Sequence, residues 1–254
     1  MLLDLWHQLF PSIPVFLLMC VTVLLAGTIR SFTGFGGGLV LAPFFSFFMS
    51  PADLVVVVLL LNFVTSVQSL PETWKTTPWP VVWAMVLPSL IGVPSGVWLI
   101  EVLDPMMIRR VIGLIVAILA AIMLIGWTYN GPRGRLQAWI VGVSSGALTS
   151  LAGVGGPPLV VYLLSDKSLS PQVVRAFFMM FFAIAQIATI TVFIFKDLVN
   201  VSQIVYTVSF IPVYIVSTLL GTYLFHKALK GRAHVIRRLS LWFLLVVGVA
   251  TLAV

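Results

Sequence analysis

Ser31-Phe-Thr-Gly34-Phe-Gly36-Gly37-Gly38 interrupts an apolar stretch of about 36 residues, 14–49, which as one straight helix at 1.5 Å per residue would be about 54 Å long. A bilayer core is roughly 30 Å thick, so the stretch has to bend, and the glycines supply the bend. The pattern returns as Ser150-Leu-Ala-Gly153-Val-Gly155-Gly156-Pro157-Pro158. Hydrocarbon offers no water to opened peptide groups, so broken backbone at membrane depth is tolerated only where protein buries it or a cavity runs beside it. Close helix packing through small residues is the alternative, but consecutive Gly36-Gly37-Gly38 would cost about 1 kcal/mol per residue inside a continuous helix.

Composition sets the solvent. With 61% hydrophobic and 8% charged residues and a mean hydropathy of +1.16, the chain cannot present the surface of a soluble domain. Apolar runs at 14–32, 52–70, 79–100, 106–127, 136–151, 171–195, 201–225 and 236–254 predict an all-α polytopic membrane protein of about eight spans. The first run has no basic leader or cleavage site and is expected to be retained. The net charge of +7 fits loop positions that set topology and meet anionic lipid, rather than a nucleic-acid surface.

A constant shift lays Gly27, Ser31, Gly34, Gly36 and Gly37 on Gly146, Ser150, Gly153, Gly155 and Gly156, and further on Pro88 meets Pro212 and Gly96 meets Gly221. The chain therefore divides into two tandem halves, 1–128 and 136–254, around a turn-rich linker at 129–135. Each half is a broken segment followed by three spans. Arg109-Arg110 and the cluster Lys227, Lys230, Arg232, Arg237, Arg238 lie at equivalent places, so the positive-inside rule favours halves of the same orientation. Should the broken segment turn back, the halves become inverted.

The first turn of a helix starting after either break would offer unpaired N–H groups and the positive dipole end to an anion. Pro157-Pro158 suits such a first turn. Arg30 is either a buried anion ligand or a side chain reaching back to the membrane face, and its counterpart is Thr149. Asn62, Ser66 and Ser69 share one helical face with Thr65 beside them, and Gln186, Thr189 and Thr191 occupy a comparable stretch; they line the cavity or bond between helices. The candidate binding set is Arg30, Ser31, Thr33, Gly34, Gly36, Gly37, Gly38, Asn62, Thr65, Ser66, Thr149, Ser150, Gly153, Gly155, Gly156 and Gln186. The glycines lack the Lys-Ser/Thr of a phosphate loop, the three histidines have no ligand spacing, and Cys20 stands alone, so no cofactor, metal or catalytic centre is expected. Asp53, Glu72, Glu101, Asp104, Asp166 and Asp197 fall near ends or loops, which argues against a carboxylate proton relay in mid-span.

Gly34-Phe-Gly36-Gly37-Gly38 with Pro43 after it, Gly153-Val-Gly155-Gly156-Pro157, and the duplicated arrangement over nearly the whole chain resemble the sulfite exporter TauE/SafE family of membrane permeases. The resemblance implies a carrier in the inner or plasma membrane that moves small sulfur anions such as sulfite, sulfonate or sulfoacetate, commonly outward. The leading expectation is a secondary transporter, and not an enzyme, that alternates access around the two breaks. Its partners would be a small sulfur oxyanion, membrane lipid and a coupling proton or ion. The competing expectations are an anion channel and a non-transport membrane assembly subunit.

Overall fold

The computed structural model describes residues 10, 12–125, 131, 134–163 and 169–229. These residues form nine α-helices and one 3₁₀ turn, with no strand among them. The helices are α1 (Ile13–Thr33), α2 (Gly37–Phe45), α3 (Pro51–Thr73), α4 (Trp79–Val102), α5 (Pro105–Ile125), α6 (Arg135–Ala152), α7 (Gly156–Leu163), α8 (Pro171–Phe195) and α9 (Val201–Ala228). Five are long and apolar enough to cross a membrane: α1, α3 with its 3₁₀ extension, α4, α8 and α9. The expected runs 106–127 and 136–151 fall on α5 and α6, and the run 236–254 lies outside the described residues, as do Lys230, Arg232, Arg237 and Arg238.

Polar caps at chain turns start the long helices. The Ser12, Ser50 and Ser170 hydroxyls accept from the N–H three residues on, each with proline in the first turn, and Asn200 with Gln203 closes a capping box on α9. Large apolar side chains such as Leu17, Leu87, Trp98, Ile140, Phe195 and Leu219 stand exposed around the outside. In water such a surface would drive association; in lipid it costs nothing, because the tails are as apolar as leucine.

Directions follow from the ends. Asp53 in the first turn of α3 accepts from Asn200 Nδ2 (2.9 Å) and Gln203 Nε2 (2.8 Å) at the α8–α9 connection. Glu72 in its last turn meets Arg175 Nη1 (2.8 Å) in the first turn of α8, and His226 Nε2 (3.1 Å) near the end of α9. Thus α3 runs against α8 and with α9. Lys196 reaches Glu101 at 3.1 Å, so α4 ends on the face where α8 ends.

Two tight helix pairs complete the bundle, α1 beside α9 and α4 beside α6. Phe16 stacks on Phe210 and Phe32 meets Phe225, so α1 runs with α9. Gly142 lies against Met85 O, Gly146 against Ser89 O, and Ser150 Oγ donates to Val93 O (2.9 Å), so α6 runs with α4. Helices at equivalent sequence positions (α1 and α6, α3 and α8, α4 and α9) therefore point opposite ways.

This corrects the same-orientation reading. Counting basic loops treated each broken segment as one pass, whereas α2 turns back: Gly37 lies beside Asn62 midway along α3, Phe45 packs on Phe210 in the first half of α9, and α3 then starts from the face that α1 left. The extra return puts the start of α6 on the opposite face from the start of α1. Arg110 and Lys227 consequently sit toward opposite faces.

Glycine makes the α4–α6 pair possible, since a Cβ on Gly146 would run into the Ser89 carbonyl. Gly146→Val should destabilise the protein by about 1–3 kcal/mol through overpacking, read as a lower thermal midpoint in detergent, whereas half-buried Ser144→Ala should stay within about 0.5 kcal/mol.

Candidate functional site

The ends of α1 and α6 and the starts of α2 and α7 converge. Helix α1 stops as Gly34 takes φ 89° and donates its N–H to Arg30 O (2.7 Å), and Gly36 takes φ 92° before α2 begins. Helix α6 stops as Gly153, at φ 67°, donates to Thr149 O (2.9 Å). Such backbone favours glycine. Space demands it as well: a Cβ on Gly34 would press on Arg175 O and Phe178 Cβ, both at 2.9 Å, and one on Gly38 would strike the Gly153 carbonyl. Gly38 facing Gly153 brings the two glycine runs into contact.

The first backbone bond of α2 runs from Val40 N to Gly36 O (3.3 Å), which leaves the N–H groups of Gly37, Gly38 and Leu39 without intrahelical acceptors. The α7 start is poorer in donors. Pro157 and Pro158 carry no N–H, leaving that of Gly156 among the first three residues of the helix.

A tight pocket, with room for about one water-sized sphere, lies between these starts. It is lined by Arg30, Gly36, Gly38, Leu39, Asn62, Thr149, Gly153, Val154, Gly155, Gly156, Phe182 and Gln186. Arg30 is only 2% exposed, so it does not reach back to the membrane face. Its Nε donates to Asn62 O (3.2 Å), its Nη2 to Ser66 Oγ (2.8 Å), and its guanidinium lies 5.4 Å from the Phe182 ring centroid. Among the described residues no carboxylate pairs with it. Tyr214 O–H donates to Asn62 Oδ1 (2.6 Å), which turns the Asn62 amide NH₂ away from the tyrosine. Gln186 is 2% exposed and its Oε1 has no hydrogen-bond partner.

Of the expected residues outside the pocket wall, Ser66 is one step behind it, holding Arg30. Gly37 lies against Asn62 and Tyr214. Ser31 Oγ donates to Thr218 O (2.8 Å) and Thr65 meets Thr218 Oγ1 (3.0 Å), joining α1 and α3 to α9. Ser150 joins α6 to α4, Thr33 bonds Ile29 O (2.8 Å) in its own turn, and Gly34 packs on α8.

Sequence reasoning missed Phe182, Tyr214 and Arg175. Phe182 and Tyr214 carry no signal in a chain rich in buried aromatics. Arg175 carried the signal that singled out Arg30, a charge inside an apolar run. It is equally buried but fully engaged: Nε donates to Ser31 O (2.6 Å), Nη1 to Glu72 (2.8 Å), Nη2 to Thr222 Oγ1 (3.1 Å), and its guanidinium lies 4.6 Å from the Phe225 ring centroid. It thereby accepts the task of satisfying a carbonyl at the open end of α1. Arg175→Met should cost about 2–4 kcal/mol, seen as a lower thermal midpoint, and Glu72→Gln, which keeps an acceptor for Nη1, should cost roughly half as much.

No curated protein and no solved structure matches the chain. The family model described as Sulfite exporter TauE/SafE matches residues 19–251, nearly the whole length. With apolar helices able to cross a membrane and glycine runs meeting at a buried arginine, the chain belongs to the sulfite exporter TauE/SafE family.

Proposed function

We propose that this protein is a secondary transporter, working as an exporter in the inner or plasma membrane, which carries a small sulfur-containing anion such as sulfite, sulfonate or sulfoacetate. The observation that carries the reading is Arg30: a guanidinium buried beside free helix-start N–H groups, with no carboxylate partner among the described residues. An uncompensated buried charge costs several kcal/mol, and an anion is the partner that repays it. In this reading Arg30, the N–H groups of Gly38 and Leu39, and the Asn62 amide hold the oxygens, while Gly36, Gly153, Gly155 and Gly156 let backbone come close.

Alternating access is supported by three features. First, the pocket between the two helix starts has room for about one water-sized sphere, so an anion of four or more heavy atoms requires it to widen. Second, contacts in the two halves correspond: Ser31 to Thr218 O matches Ser150 to Val93 O, and Gly221 against Thr28 and Ser31 matches Gly96 against Ala147 and Ser150. Halves of one design, 1–128 and 136–254, running in opposite directions are the usual basis for exchanging two faces. Third, separate polar ties close the ends, Asp53–Asn200–Gln203 and Lys196–Glu101 on one face and Arg175–Glu72–His226 on the other. The energy would come from the substrate gradient or a coupled proton or ion.

In proteoliposomes the protein should show saturable uptake of labelled sulfite with counterflow exchange. Arg30→Gln should lower uptake at least about tenfold, the value of one charge-assisted hydrogen bond, while its thermal midpoint stays near the parent. Ionic currents without counterflow would replace the carrier by a channel, and parent-rate transport by Arg30→Gln would remove the site.

A further inference from the structure

Resting on the anion-carrier reading, we infer that the Arg30 pocket selects anions of a single negative charge: hydrogensulfite and simple sulfonates, over dianions such as sulfate, doubly deprotonated sulfite and sulfoacetate. The first argument is charge balance. Among the described residues, the groups facing the pocket are neutral apart from Arg30. Helix α2 contributes glycines and Leu39, α3 contributes Asn62 and Ser66, α6 contributes Thr149, and α8 contributes Phe182 and Gln186. From α9 comes Tyr214, whose hydroxyl is engaged as donor to Asn62. The other buried arginine among the described residues, Arg175, is tied to Glu72, so that pair adds no net charge to the site. One guanidinium offsets one negative charge. A second would stay unmatched between Leu39, Val154 and Phe182, in surroundings that screen it poorly.

The second argument is the Gln186 oxygen. It is a buried acceptor with no donor, on a residue that lines the pocket. Hydrogensulfite carries both what Arg30 needs, a negative charge, and what Gln186 lacks, an O–H. A dianion offers acceptors alone and would leave that oxygen unsatisfied. Simple sulfonates satisfy the charge but not Gln186, which ranks them below hydrogensulfite.

The test uses purified full-length protein in proteoliposomes with labelled sulfite, and with methanesulfonate, sulfate and sulfoacetate as competitors. Methanesulfonate should compete, with sulfate and sulfoacetate at least about tenfold weaker. Hydrogensulfite loses its proton near neutral pH, so above that point uptake at fixed total sulfite should fall by up to about tenfold per pH unit. Labelled methanesulfonate, singly charged throughout, should show no such fall; a proton-coupled cycle indifferent to substrate charge would move both. Gln186→Leu should weaken sulfite uptake severalfold more than methanesulfonate uptake. Sulfate or sulfoacetate competing as well as methanesulfonate, or sulfite uptake holding level across that pH range, overturns the single-charge assignment, and equal losses of both substrates in Gln186→Leu overturn the role of Gln186. If no anion is taken up at all, the transporter reading itself fails, a different result from uptake without charge selection.

Discussion

A guanidinium removed from water must recover its hydration from the protein or from something the protein binds. This chain buries two, to the same degree, and treats them differently. Arg175 recovers what it lost inside the fold, from a carbonyl at the end of α1, a carboxylate on α3 and a hydroxyl on α9. Arg30 receives one carbonyl and one hydroxyl, and no countercharge among the described residues. The contrast separates a satisfied arginine from an unmatched one within one residue type. Arg175 joins three helices where α1 gives way to its glycine turn, whereas Arg30, less than two turns earlier on that helix in the direction of the chain start, is left with charge to spare.

Glycine placement determines that Arg30 faces a pocket rather than packed side chains. Gly38 lies on the Gly153 carbonyl, and Gly156 lies against Phe35. Bulk at these points would push the starts of α2 and α7 apart and either flood or fill the space between them. The same economy governs the α1–α9 and α4–α6 pairs, where Gly27, Gly96, Gly146 and Gly221 bring backbone against side chain or backbone. Without a hydrophobic drive between helices in lipid, such close van der Waals contact is a main source of cohesion. Scaffold and site thus draw on one resource.

The all-helical class, the membrane as solvent and the family were legible because each rests on composition or on a motif that survives without three-dimensional context. Orientation was not legible. The positive-inside argument depends on knowing how many times the chain crosses before each basic loop, and nothing in Gly34 to Gly38 says whether the following apolar residues carry on or return. The geometry brings many of the anticipated polar residues to one place, yet puts Ser31, Thr65 and Ser150 between helices. A hydroxyl in an apolar run reads alike in both roles, since either way it satisfies a buried partner. Arg175 was legible in principle and passed over, because its run was read for length. Tyr214 was not, since its part depends on which face of α9 meets Asn62.

Each glycine run ends its helix on a left-handed glycine, Gly34 or Gly153, but the two are unequal in chemistry. The first brings Arg30 and a helix start whose early residues keep their N–H groups; the second brings Thr149 and a start in which two prolines have none. A bound anion would therefore be held chiefly by the first half, with the second supplying close-fitting backbone and the Phe182 and Gln186 wall. Such a division suits exchange between two faces. A ligand gripped equally by both halves would resist every relative movement between them, while one that rides with a single half lets the other slide past at the cost of contacts that are individually weak. On the carrier reading proposed above, the proline pair, which looks like a loss of binding capacity, would leave the second half free to let go.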